Sequence, residues 1–244
     1  MFGYGFDRRM IYGILIALAV YSLMSMTRAE WISILLTLPA VIIAITIHEF
    51  SHAKAADVLG DKTPRSQGRL TLNPLSHLDP VGFVLLMFAH VGWGKPVEIN
   101  PNNFTSNKSK SACEAIVALA GPVSNFILAF ILLIIARLIS VFAPNFGYGF
   151  YDGLLLLLMD LTISINIGLG VFNLIPLPPL DGEKIFRHIL PYRAQEWLDR
   201  YSYILNMIFV VLWITGLLSI VVAPVIGVIE RGMVNLVYLL TAWL

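Results

Sequence analysis

His48, Glu49 and His52, within the run HEFSH, are the residues of this chain whose types and spacing best suit chemistry. On an α-helix, side chains four apart share a face about one turn from each other, so both imidazoles can reach one metal ion. Glu49 then stands beside that ion, placed to act on a water as general base. The setting is unusual, because Trp31 to Ile47, just before the motif, contains no charge. Ionisable groups inside a bilayer are costly and mark functional sites. The pair therefore reads as metal ligands and not as histidines satisfied by core neighbours.

A catalytic zinc site keeps three protein ligands and one open position, so HEFSH is incomplete. By type, the third ligand could come from His77, His90, His188, Asp79, Asp160 or Asp181. Asp181 follows an apolar run interrupted by Pro178 and Pro179, which break a helix and free the backbone to bend. Asp-Gly is also an ordinary turn signal, and residue types alone leave the two readings open. Asp160 is expected roughly 30 Å from Asp181 along the same segment, at about 1.5 Å per residue, near the opposite surface.

The elements that carry these residues are membrane helices. Of 244 residues, 58% are hydrophobic and 13% charged, where a soluble domain has roughly 25% charged. That is too little charge for a water-facing surface. The expected class is an all-α polytopic membrane protein of about six spans, with a small re-entrant or β segment on the cytoplasmic side. The spans are expected at Met10 to Thr27, Trp31 to Asp57, Ser111 to Phe142, Asp152 to Ile175, Tyr201 to Val222 and Val225 to Leu244. Arg8 and Arg9 precede the first, which reads as a membrane helix and not as a signal peptide. Val81 to Val91 is apolar but too short to cross, and is expected to be re-entrant or interfacial. Gly92 to Asn100 alternates in strand fashion. The whole chain, 1–244, is expected to form one domain, with a catalytic core at about 30–190 and the final spans, 201–244, accessory.

Placing the N-terminus in the cytoplasm puts Arg8, Arg9, Lys54, Lys62, Arg65, Arg69, Lys95, Lys108, Lys110, Lys184, Arg187, Arg193 and Arg200 inside, and only Arg28 in an outside loop. HEFSH and the LDG sequence at Leu180 to Gly182 then lie at similar depth near the cytoplasmic face. A net charge of +1 gives no field for nucleic acid, and none is expected as a partner. The lone Cys113 excludes an internal disulfide.

HEFSH in a membrane helix, then Gly121, Pro122 and Asn125, then Asn173, Pro176, Pro179, Leu180, Asp181 and Gly182, resembles the site-2 protease family of intramembrane zinc metalloproteases. The compact prokaryotic branch, without PDZ or CBS domains, also has a segment similar to Asn73–Gly82. The resemblance covers roughly residues 30 to 190. It implies one Zn2+ held by His48, His52 and Asp181, with Glu49 activating the water. It further implies single-span transmembrane proteins as substrates, cleaved in or beside their membrane segments.

Asn173 and Asn125 receive two readings each. The Asn173 amide could donate to a developing oxyanion or make a helix–helix hydrogen bond, and the resemblance favours the first. Asn125 suits either substrate contact or interhelical bonding beside a closely packed Gly121. His77 is expected as a loop histidine near the interface. Trp93, Lys95 and Val97 border the re-entrant segment, and an edge there could hold an unwound substrate as an added strand. The rival of another class is a membrane metal transporter using His48, His52 and Asp181 as a transit site, in which Glu49 has no necessary role.

Overall fold

The computed structural model describes residues 25–80, 82 and 94–244. The expected first span as far as Met24 lies outside them. So does the expected re-entrant segment apart from Gly82, with His90 and Trp93. Among the described residues the chain forms seven α-helices: α1 Arg28–Val58, α2 Thr63–Ser66, α3 Lys110–Phe142, α4 Phe150–Asn173, α5 Asp181–Ile189, α6 Tyr192–Ile214 and α7 Leu217–Leu240.

Four of these, α1, α3, α4 and α7, are long and apolar enough to cross a bilayer, where six spans were expected. The difference lies partly at the C-terminal end. α6 begins at Tyr192, so its first half carries Arg193, Glu196, Asp199 and Arg200, and only its second half is free of charge. The break after it falls at Thr215 and Gly216, where Gly216 takes φ 72°, and not at Ala223–Pro224. Pro224 lies within α7, as Pro39 does in α1 and Pro122 in α3. Proline is tolerated inside membrane helices because neighbouring groups can re-satisfy the freed carbonyl.

The start of α1 is written in its sequence. Thr27 and Glu30 form a capping box: Glu30 N–H donates to Thr27 Oγ1 at 3.3 Å, and Thr27 N–H to Glu30 Oε2 at 2.7 Å. α3 starts with Ser109 accepting from Ala112 N–H at 3.2 Å.

Packing follows stripes with a four-residue period. On α1, Ala40, Ala44, His48, His52 and Ala56 are all buried. On α3 the buried series is Cys113, Val117, Gly121, Asn125 and Ala129, and on α4 it is Thr162, Asn166 and Gly170. Lipid is as apolar as leucine, so membrane helices associate through close van der Waals approach and buried hydrogen bonds, which small and polar residues provide. α1, α3 and α4 pack on one another along these stripes. A hydrophobic cluster of Ala129, Ile163, Ile167 and Val171 with Leu180, Phe209, Leu218 and Val222 joins the α6–α7 pair to α3 and α4. Phe172, Phe209 and Trp213 stack there with ring centroids 5.6–5.9 Å apart.

The expected β segment is extended chain and not a strand. Its ladder contact among the described residues is an isolated antiparallel bridge between Leu78 and Gly94, with Lys95 N–H donating to the His77 carbonyl at 2.7 Å. A cage around Asp61 holds the far end of this segment. Asp61 accepts from Thr63 N–H, Thr63 Oγ1–H, Asn100 N–H and Asn103 Nδ2–H at 2.6–3.0 Å.

Candidate metal centre

HEFSH lies in the last third of α1, where His48 and His52 occupy its buried stripe and Glu49 is half-buried beside them. The two rings meet edge to face with centroids 4.6 Å apart. Asp181, 133 positions after His48, joins them: its Oδ2 lies 3.1 Å from His48 Nε2 and 3.0 Å from His52 Nε2. The chain reaches this point because α4 ends at Asn173 and tight turns follow, Leu177 N–H to Ile175 O and Leu180 N–H to Leu177 O. Asp181 is then the first residue of α5. Gly182 is buried directly under the end of α4, where a Cβ would come within 2.4 Å of the carbonyl oxygens of Leu174 and Ile175.

Of the six candidates for a third ligand, Asp181 is the one that joins the histidine pair among the described residues. Asp79 accepts from Gly82 N–H instead. His188 is exposed and bonded to Ser111 Oγ, Asp160 is exposed, and His90 lies outside the described residues. His77 lies in a loop, as expected, and is fully buried, with Nε2 donating to the Thr71 carbonyl at 2.7 Å.

The residues fit a metal ion on three observations. First, the ligand atoms of His48, His52 and Asp181 all lie within 4.8 Å of one another. Second, each histidine has its other ring nitrogen engaged by an acceptor. His52 Nδ1 is 2.6 Å from the Val117 carbonyl, which can only accept, so a hydrogen sits on Nδ1 and Nε2 is the nitrogen left for a metal. His48 Nδ1 is 2.6 Å from Asn125 Oδ1, and the Asn125 amide is oriented by its Nδ2 donating to the Ala44 carbonyl at 3.1 Å. Metal-binding histidines are held this way, with the second nitrogen fixed by a carbonyl or carboxylate. Third, Gly121 leaves room where the imidazoles sit: a Cβ there would lie 2.5 Å from His52 Nε2 and 2.7 Å from His48 Cε1.

Asn125 thus bonds to His48 and is fully buried. Of its two readings, interhelical bonding is the one these contacts display. The partner choice was hidden in sequence because GPVSN suits helix packing and site chemistry equally. Asn173 donates its Nδ2–H to the Leu169 carbonyl of its own helix at 3.0 Å. Lys95 is exposed, with its backbone N–H on His77. Val97 N–H donates to Glu49 Oε2 at 3.1 Å, a contact with no sequence signal. Trp93 lies outside the described residues.

A family model described as peptidase family M50 matches residues 36–154 and 151–216. "Putative zinc metalloprotease YwhC" of Bacillus subtilis is 38% identical over 186 residues, covering 76% of this chain and 83% of that protein. "Putative zinc metalloprotease Rip2" of Mycolicibacterium smegmatis is 32% identical over 184 residues, covering 73% of this chain and 66% of that protein. "Putative zinc metalloprotease MJ0611" of Methanocaldococcus jannaschii is 36% identical over 93 residues, covering 38% of this chain and 44% of that protein. No solved structure matches the chain.

Proposed function

The chain belongs to peptidase family M50 and is an intramembrane zinc protease, and from that premise we propose which residues do the work and on what. His48, His52 and Asp181 hold one zinc ion. Bound there, zinc supplies a Lewis acid that polarises the scissile carbonyl and makes water a nucleophile near neutral pH. Glu49 takes the proton of the attacking water and returns it to the departing amine. The observation that carries this reading is the meeting of both Nε2 atoms with Asp181 Oδ2 beside a half-buried Glu49.

The substrate is a single-span membrane protein, unwound near the site so that its backbone lies extended. The chain from Gly94 to Asn100 runs extended past Glu49, and it is the edge beside which such a strand would lie. Asn173 remains our candidate for steadying the oxyanion, which requires its amide to leave Leu169. Residues of about 30–190 form the catalytic core and 201–244 buttress it. The clustering of Lys54, Lys62, Arg65, Arg69, Lys95, Lys108, Lys110, Lys184 and Arg187 near the HEFSH end of the bundle supports a cytoplasmic site. The N-terminus is then cytoplasmic.

The test is cleavage of a panel of single-span proteins by purified, zinc-loaded protein, with products identified by mass spectrometry and Glu49→Gln as control. Cleavage within or beside the span, lost in Glu49→Gln, is expected. Full cleavage by Glu49→Gln overturns the base assignment, and zinc flux into liposomes without any cleavage overturns the protease reading in favour of transport.

A further inference from the structure

Behind His48 the hydrogen bonds continue through two asparagines. Asn125 Nδ2 donates both to the Ala44 carbonyl at 3.1 Å and to Asn166 Oδ1 at 2.7 Å. Asn166 Nδ2 in turn donates to the Thr162 carbonyl, one turn earlier on α4, at 2.8 Å. Asn125 and Asn166 are both fully buried.

The direction of this chain follows from its ends. A backbone carbonyl only accepts, so the Thr162 oxygen fixes which end of the Asn166 amide is NH2 and turns Oδ1 toward Asn125. That oxygen, together with the Ala44 carbonyl, demands both N–H groups of Asn125 and turns Oδ1 toward His48. His48 Nδ1 must then carry a hydrogen, so Nε2, which faces Asp181, is the nitrogen whose lone pair a metal would take. Reversing any amide would set oxygen against oxygen, or N–H against N–H, at less than about 3.2 Å in an apolar interior, where unpaired polar groups are costly.

We propose that Asn166 is a positioning residue for the metal centre, which acts through Asn125 to hold His48 in the tautomer that presents Nε2 to zinc. This rests on the zinc reading above. Asn166 bonds to Asn125 and to the Thr162 carbonyl; its effect is on the orientation of Asn125 and hence on His48. His52 is the internal control, because its Nδ1 is fixed by the Val117 carbonyl and does not use the relay.

The experiment compares wild type with Asn166→Leu in the full chain in detergent, with Asn166→Ala alongside in case the leucine disturbs folding. Zinc affinity is measured by chelator competition, and the 15N signals of both imidazoles are read in metal-free protein. The expected result is a loss of about 10–100-fold in zinc affinity, the range for partners behind a metal ligand. His48 should shift toward mixed tautomers while His52 keeps its signal. Unchanged affinity and an unchanged His48 signal overturn the relay, as does an equal disturbance of His52, which would mark general loosening. Failure of the wild type to bind zinc would instead overturn the zinc reading and leave the metal-free tautomer comparison standing.

Discussion

The backbone N–H of Val97 donates to the carboxylate of Glu49 at 3.1 Å, tying the extended Gly94–Asn100 segment to the acidic residue of HEFSH. The proposed base and the edge beside which a substrate strand would lie are therefore one unit. Val97→Pro removes this donor. We expect weaker binding of extended substrates, with KM rising up to roughly tenfold and kcat changing less, from the loss of a hydrogen bond worth about 1–1.5 kcal/mol. Steady-state kinetics on one cleavable substrate checks this; an unchanged KM shows the contact to be incidental.

Glu49 and Asp181 should separate under mutation. Asp181→Ala removes an oxygen that meets both histidines, so it should lose zinc and cleavage together. Glu49→Gln should keep zinc and lose about 10²–10⁴-fold in rate. Metal content after dialysis against a mild chelator, measured beside the cleavage rate, distinguishes the two.

Gly121→Ala should disable the centre by a single methyl group, since that Cβ would lie 2.5 Å from His52 Nε2. Zinc affinity is expected to fall at least about tenfold, as for other changes that displace metal ligands. Gly232→Ala in α7, which meets nothing within 4 Å, serves as control and should be neutral or gain up to about 1 kcal/mol in helix stability. Chelator competition and thermal unfolding read the two effects.

Acid should loosen the loop that Asp61 holds. Burial pushes the Asp61 carboxyl up, but the donors from Thr63, Asn100 and Asn103 outweigh it and hold the group below the ordinary carboxylate range. A depressed folded pKa gives stability that is present above the unfolded value of about 3.9 and lost as pH falls through the folded value. The protection of the Asn100 amide, its exchange rate relative to the intrinsic rate at the same pH, should therefore fall below about pH 4. Asp61→Asn should do the same at neutral pH.

Much of the centre was legible because its signals are local. The spacing of His48 and His52 needs only a helix, and the prolines before Asp181 show where a helix must end. Other features depend on register between distant elements. Asn125 meets His48 only because the α1 and α3 stripes align, and nothing near residue 125 carries that information. The burial of His77 likewise goes with contacts from a distant stretch, since Gly94 bridges to Leu78 and Lys95 N–H bonds the His77 carbonyl. The division between α6 and α7 was expected at Pro224, but the helix carries that proline and gives way at Gly216. The site residues with the plainest chemistry were thus the easiest to find, and those that orient them were the hardest.

The alanines of the α1 stripe carry no reactive group, yet they act as spacers for the centre. Ala40, Ala44 and Ala56 set how near α3 and α4 can come, and His48 and His52 lie in the same line of contact. Widening the gap by one methyl group would move Asn125 and Val117 away from the imidazoles they orient. In this protein the gauge of the helix bundle is itself a tolerance of the metal centre, so silent-looking positions a turn or two away are under the same constraint as the ligands.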